Sequence, residues 1–271
     1  MTSTNRQPTC VLTPFGAEYG YRPQWGFLQR CYIRAFGVVD LPSRLRAKIV
    51  LQELAKSRCE NLLDFGCGTG CYSFYLTRHS QVRVSGVDSN EARVSDCIAI
   101  ANKIGRKNLT FISGSGHDGL LPFDSKSFDT ILAVEVLQYV PDPLCTLREM
   151  NRLLVPGGRV IGHVPVLGYL REGEQTLFDD ANLSATLKET GFENVSITRT
   201  FGGGVRQACK AFEWASRSRV IAALVFPFLL AASSMCGIAS PRGDYRLFSG
   251  RKPFSDAACS GSMGRARTCV K

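Results

Sequence analysis

Residues 62–70 read Leu-Leu-Asp-Phe-Gly-Cys-Gly-Thr-Gly, and no other run constrains the fold as strongly. Four residues suited to a buried strand stop at Gly66. Three glycines at alternate positions then let the backbone turn tightly and let a ligand reach main-chain N–H groups with no Cβ in the way. The helix expected after the loop leaves free N–H groups at its start, the usual seat of a nucleotide-type ligand. A dinucleotide fingerprint needs its last glycine one residue later, where Cys71 stands. The Asp64 carboxylate beside the loop also argues against a pyrophosphate, because it repels phosphate and accepts from an ammonium group. The next strand candidate ends in Gly86-Val87-Asp88-Ser89. Asp88 stands where open α/β sheets put a carboxylate on ribose hydroxyls. Together the two acids suit a nucleoside that carries an amino acid.

Short apolar runs alternate with longer amphipathic ones from residue 61 onward, the pattern of βαβ units on a mostly parallel sheet. Strands are expected at 62–65, 82–87, 109–112, 128–134, 159–164 and 195–199, each bounded by Gly, Asp, Asn or Pro. Helices are expected at 91–104, with Val94, Ile98 and Ala101 on one stripe, at 143–154 with Leu144, Leu147 and Leu154, and at 178–190, ending at Gly191. Pro156-Gly157-Gly158 reads as a turn that launches the fifth strand. This core, 59–200, is flanked by an N-terminal part, 1–58. There an aromatic arm (Phe15, Tyr19, Tyr21, Trp25, Phe27), which either lids the pocket or pins itself to the body, precedes helices near 28–36 and 43–56. After the core come a helical, apolar insertion at 201–241, a last strand within 242–253 and a flexible tail at 254–271.

The chain of 271 residues is 44% hydrophobic and 21% charged, which excludes fibrous and disordered classes. Its 11 cysteines form no C-x-x-C pair, so neither a disulfide framework nor a zinc ribbon is expected, and a reducing, cytoplasmic setting follows. His79, His117 and His163 are the only histidines and none pairs with another ligand at helical spacing, so no metal is expected. The polar first ten residues lack the apolar stretch of a signal peptide.

The net charge of +10 is unevenly spread. Residues 61–204 hold 13 basic and 16 acidic residues, residues 1–60 hold 9 and 4, and residues 205–271 hold 11 and 3. The basic excess belongs to the flanks, which disfavours nucleic acid as partner and favours an anionic membrane surface or an acidic acceptor. The apolar run 220–235, interrupted by Pro227, falls short of the ~20 residues a spanning helix needs. It reads as a helix covering an acceptor pocket or lying in a lipid interface, with Arg217 and Arg219 before it suited to headgroups.

Five ordered blocks carry a family resemblance. They are Asp64-Phe65-Gly66-Cys67-Gly68-Thr69-Gly70; Asp88; Leu121-Pro122-Phe123 with Ser127-Phe128-Asp129; Glu135-Val136-Leu137-Gln138-Tyr139-Val140; and Pro156-Gly157-Gly158-Arg159-Val160. Over roughly residues 61–195 the chain resembles the class I S-adenosylmethionine-dependent methyltransferases, most closely the small-molecule and lipid-modifying, type 11-like group. The resemblance implies a Rossmann-like doubly wound α/β sheet of seven strands, the last antiparallel and best matched by 245–250. It implies S-adenosyl-L-methionine as cofactor and a small-molecule or lipid acceptor. Asp64 with Gly66, Cys67, Gly68 and Gly70 would hold the methionine part, Asp88 and Ser89 the ribose, and Ser115 and Gly116 the adenine. Glu135 would touch the methionine end or pair with Arg148 or Arg152. The family's Gly-Asp-Ala after the third strand is replaced by Gly114-Ser115-Gly116-His117-Asp118, leaving Ser115 ahead of Asp118 for the adenine amine. The activated sulfonium methyl chiefly needs an aligned nucleophile and a dry site, with a general base for hydroxyl or acidic carbon acceptors. His163, at the end of the fifth strand, is the first candidate base, against the reading of a satisfied core histidine. His117 and Tyr139 are the next candidates for acceptor contact. A catalytically degenerate regulatory scaffold, and less so a nicotinamide dehydrogenase, are the competing readings.

Overall fold

A computed structural model describes residues 14–22, 25–115, 120–166, 178–235, 240 and 242–254. The strands are β1 (Asn61–Phe65), β2 (Arg83–Asp88), β3 (Leu109–Ser113), β4 (Phe128–Val134), β5 (Leu154–Pro165), β6 (Glu193–Thr200) and β7 (Tyr245–Arg251). The helices are α1 (Phe27–Phe36), α2 (Leu41–Leu54), α3 (Cys71–His79), α4 (Glu91–Ile104), α5 (Pro143–Leu153), α6 (Asp180–Glu189), α7 (Gly203–Ala215) and α8 (Arg219–Met235). All seven strands join one sheet in the order β3-β2-β1-β4-β5-β7-β6. The first five run parallel, and β7 inserts antiparallel between β5 and β6. The order reverses between β1 and β4, which opens a crevice at the carboxyl ends of those strands, the usual ligand position in such sheets.

Strand residues alternate between two apolar layers because successive side chains point to opposite faces. Leu62, Val84, Leu132 and Ile161 pack with α2, α3, α4, α7 and α8 on one face, while Leu63, Phe65, Ile131 and Val160 pack with α5 and α6 on the other. Short polar residues fix where helices begin: the side chains of Asp40, Asn90, Asp142 and Asp179 each accept the backbone N–H three residues on.

The structure departs from the sequence pattern in three local ways. The buried stripe of α4 is Val94, Cys97, Ile100 and Ala101, and Ile98 faces solvent, because Cys97 rather than Ile98 completes the i, i+3, i+7 stripe. Pro156-Gly157-Gly158 lies inside β5: pairing jumps from Phe128↔Leu154 to Thr130↔Arg159, and the left-handed Gly157 absorbs the excess chain as a bulge. Leu154, expected at the end of the helix over 143–154, instead opens β5, so that α5 stops at Leu153.

The aromatic arm is pinned to the body. Phe15 is buried against Tyr72 and Tyr75 of α3, the buried Glu18 pairs with Arg78 at 2.6 Å, and Arg22 pairs with Asp96 of α4 at 3.2 Å. Among the described residues no helix is long and apolar enough to cross a membrane.

Candidate active site

The glycine loop is built on left-handed backbone. Gly66, Gly68 and Gly70 have φ of 68°, 55° and 74°. A Cβ at Gly66 would collide with Val136, whereas one at Gly68 would meet nothing within 4 Å, because that residue borders a cavity of about 260 Å³. Gly70 is the N-terminal cap of α3. The Cys67 N–H donates to the Val87 carbonyl at 2.9 Å, tying the loop to β2, and its thiol is buried beneath, with burial pushing its pKa up.

Asp88 closes this loop. Its Oδ2 accepts the Gly68 N–H at 2.7 Å and its Oδ1 accepts the Asn90 N–H at 2.9 Å, so the carboxylate is fixed at the cavity wall with lone pairs to spare. Asp64 lies beneath, buried, accepting the Ser73 hydroxyl at 2.6 Å. Burial pushes its pKa up to about 6, only partly offset by the Ser73 hydrogen bonds. No cation pairs with it among the described residues.

Gly66, Gly68, Asp88, Ser89, Ser115, Glu135 and Tyr139 all line the one cavity, and Arg93 of α4 and Val136 join them. Sequence reasoning missed Arg93, whose one signal is its place in the first turn of the helix after Asp88. Gly116 and His117 lie outside the described residues.

Glu135 lines the cavity from a left-handed backbone, φ 58°, a conformation rare for a residue with a side chain. It pairs with neither Arg148 nor Arg152, which bind Glu189 and Glu149 instead. Its Oε1 takes the Nδ1 of His163 at 2.9 Å, and its Oε2 lies 3.5 Å from Arg46 of α2. His163 is fully buried and lines neither this cavity nor a second one beneath α7. Its Nε2 meets the Thr200 hydroxyl at 3.1 Å, and its ring stacks on Tyr245 at 5.1 Å. Burial lowers its pKa, against the Glu135 hydrogen bond, so the neutral ring donates from Nδ1 to Glu135 and accepts at Nε2 from Thr200. Arg46, Thr200 and Tyr245 come from distant segments and carry no motif. The Tyr72 hydroxyl, buried in the field of Arg46, Asp64 and Glu135, has no hydrogen-bond partner among the described residues.

Residues 56–211, more than half of the chain, match the methyltransferase domain family. The chain belongs to that family. A demethylmenaquinone methyltransferase of Lactococcus lactis is 35% identical over 103 residues, 37% of this chain and 40% of that protein. The O-methyltransferase resE of Aspergillus sclerotiorum is 27% identical over 175 residues, 59% of this methyltransferase-domain chain and 64% of its own length. The chain thus spans 40% to 64% of the length of these two curated relatives. Among solved structures, the phosphoethanolamine N-methyltransferase 2 of Haemonchus contortus, in complex with phosphomonomethylethanolamine and S-adenosylhomocysteine, shares the fold at TM-score 0.62 and 15% identity, covering 88% of this chain and 60% of that one. The [4+2]-cyclase SpnF shares it at TM-score 0.57 and 21% identity, covering 78% and 81%.

Proposed function

We propose that this member of the methyltransferase domain family transfers the methyl group of S-adenosyl-L-methionine to a small-molecule acceptor. The observation that carries this reading is Asp64: a buried carboxylate with a hydroxyl partner and no cation, beneath a glycine loop pinned by Asp88. Such a pair fits a ligand with an ammonium group at one end and a ribose diol at the other. The cofactor supplies a methyl group already activated on a sulfonium. Asp64 then accepts from the ammonium group, Asp88 with Ser89 holds the ribose, and Ser115 lies on the adenine side. Gly68, with open space where a Cβ would project, lets the ligand lie against the main chain.

Glu135 is the group we assign to the acceptor. Held by His163 and Arg46 and facing the cavity, it takes a proton from a hydroxyl or an acidic carbon, or steadies a cationic acceptor. His163 is a positioning residue that fixes the carboxylate's orientation, and Tyr139 contacts the acceptor from the cavity rim. Curated relatives named for demethylmenaquinone and for O-methylation both suit a small acceptor. The apolar α7–α8 hairpin favours a lipid-like one and a peripheral lipid contact through 217–235.

Titration with S-adenosylhomocysteine in a calorimeter tests the cofactor half, and labelled-methyl transfer into fractionated small-molecule extracts tests the acceptor half. Absence of both heat and a Tm shift overturns the proposal. Binding without label in any fraction favours the non-catalytic scaffold instead.

A further inference from the structure

Twelve large hydrophobic side chains are exposed among the described residues, and eight of them stand on α1, α7 and α8. Phe27, Leu28, Trp214, Val220, Leu224 and Phe228 are each at least 66% exposed. On α8 the spacing is regular. Val220, Leu224 and Phe228, at i, i+4 and i+8, face outward, while Ala222, Phe226 and Leu230 face the core, Phe226 against Phe212 of α7. The helix is therefore apolar on both sides, and only one side is covered. The Tyr32 hydroxyl of α1 donates to the Ala223 carbonyl of α8 at 2.9 Å, so the apolar residues of α1 stand beside those of α8.

Charge selects the occupant of this face. Neither α1 nor α8 contains an acidic residue; α1 carries Arg30 and Arg34, and α8 begins at Arg219. The α7 segment and the turn after it carry Lys210 and Arg217 against a single acid, Glu213, with Arg206 paired to Asp244. A second copy docking by two-fold symmetry would set these cations against each other. An anionic lipid surface matches both the charge and the apolar stripe, and an exposed Trp beside Arg is the usual makeup of a helix lying in an interface.

The cavity beneath α7, about 520 Å³, has Phe201, Phe212 and Tyr245 in its wall and the exposed Lys210, Glu213 and Ser216 at its mouth, next to Trp214 in the chain. Its Tyr245 stacks on His163, which bonds Glu135 in the wall of the glycine-loop cavity. This cavity, whose wall also carries Asp40, Arg206 and Asp244, comes within one side chain, His163, of the glycine-loop site.

We propose that α1 and the α7–α8 hairpin dock this chain on an anionic lipid surface. The proposal does not depend on methyl transfer, and its test is read without it. Sedimentation of the full chain with phosphatidylglycerol-containing vesicles and with pure phosphatidylcholine vesicles, at low and high salt, measures the docking. Expected is binding to the anionic vesicles that high salt weakens. The Leu224→Glu/Phe228→Glu variant should bind about 100-fold more weakly. Its Tm and S-adenosylhomocysteine affinity, which report folding, should be unchanged, since both side chains are exposed. Arg34→Glu/Arg217→Glu should lose about fivefold per position and flatten the salt dependence. Equal binding to both vesicle types, no sedimentation with either, or a wild-type dimer in solution that the double variant dissolves would each overturn the docking.

Discussion

The two halves of this molecule are made by different means. Around β1, β2 and the glycine loop, geometry comes from the main chain: three left-handed glycines, a carboxylate on a backbone N–H, and a helix start. Around Glu135 it comes from side chains lent by distant segments: Arg46 from α2, Thr200 from β6 and Tyr245 from β7. A backbone-made site fails all at once when one turn is disturbed. A site assembled from side chains loses function in steps, with the fold intact.

Asp88→Ala gives the largest expected effect. It removes both the proposed ribose partner and the acceptor of the Gly68 N–H, and hydrogen bonds to charged groups contribute about 1.5–3 kcal/mol each. Affinity for S-adenosylhomocysteine should fall at least about 100-fold by calorimetry. A loss under tenfold would mean that the loop holds its shape without this carboxylate.

Within the loop, two glycines separate stability from binding. Gly66→Ala meets Val136 at a left-handed φ and should destabilise the fold by about 3 kcal/mol, read from denaturant unfolding. Gly68→Ala meets no atom, so only its φ is strained, at about 1 kcal/mol, yet its methyl enters the cavity and should abolish ligand binding. Equal losses of stability would contradict the open space at Gly68.

The side-chain half should behave otherwise. Glu135→Gln should lower kcat about 100-fold with cofactor affinity within a few-fold, if the carboxylate takes a proton from the acceptor. His163→Asn, which can keep one hydrogen bond to Glu135, should recover more activity than His163→Leu. Equal activities in the two variants would make His163 a packing residue only.

This division also explains what could be read from the sequence. The strands and the glycine loop were legible because burial on a parallel sheet and left-handed turns each restrict residue type, leaving Val, Leu and Ile runs and alternate glycines. Asp88 was legible through its distance from the loop. Glu135 was visible as a block but not its partners: the pairing with Arg46 joins residues 89 apart in the chain, and no local rule selects Arg46 over Arg148 or Arg152. The α4 stripe was misread because a buried Cys97 and an exposed Ile98 invert the usual hydrophobicity order. The exposed apolar face of α8 could not be separated from its buried one, since both read as Ala, Val, Leu and Phe.

Asp64 yields the smallest predicted effect and the most specific one. Its pKa of about 6, above the ordinary 3.8, means that the folded chain holds the proton more tightly than the unfolded one. Its contribution to stability is therefore full below about pH 4 and is lost as pH rises through 6. An ammonium group placed against this carboxylate, as proposed, would lower that pKa and reverse the trend. Affinity for S-adenosylhomocysteine should then rise as pH rises through 6, by up to about tenfold per unit below it, and level off above. The Tm gained on adding ligand should accordingly be larger at pH 7.5 than at pH 5. In Asp64→Asn, which keeps the Ser73 contact without the charge, affinity should be weaker and its pH slope flat. A slope that survives in Asp64→Asn would assign the titration to another group and remove the ammonium from this position.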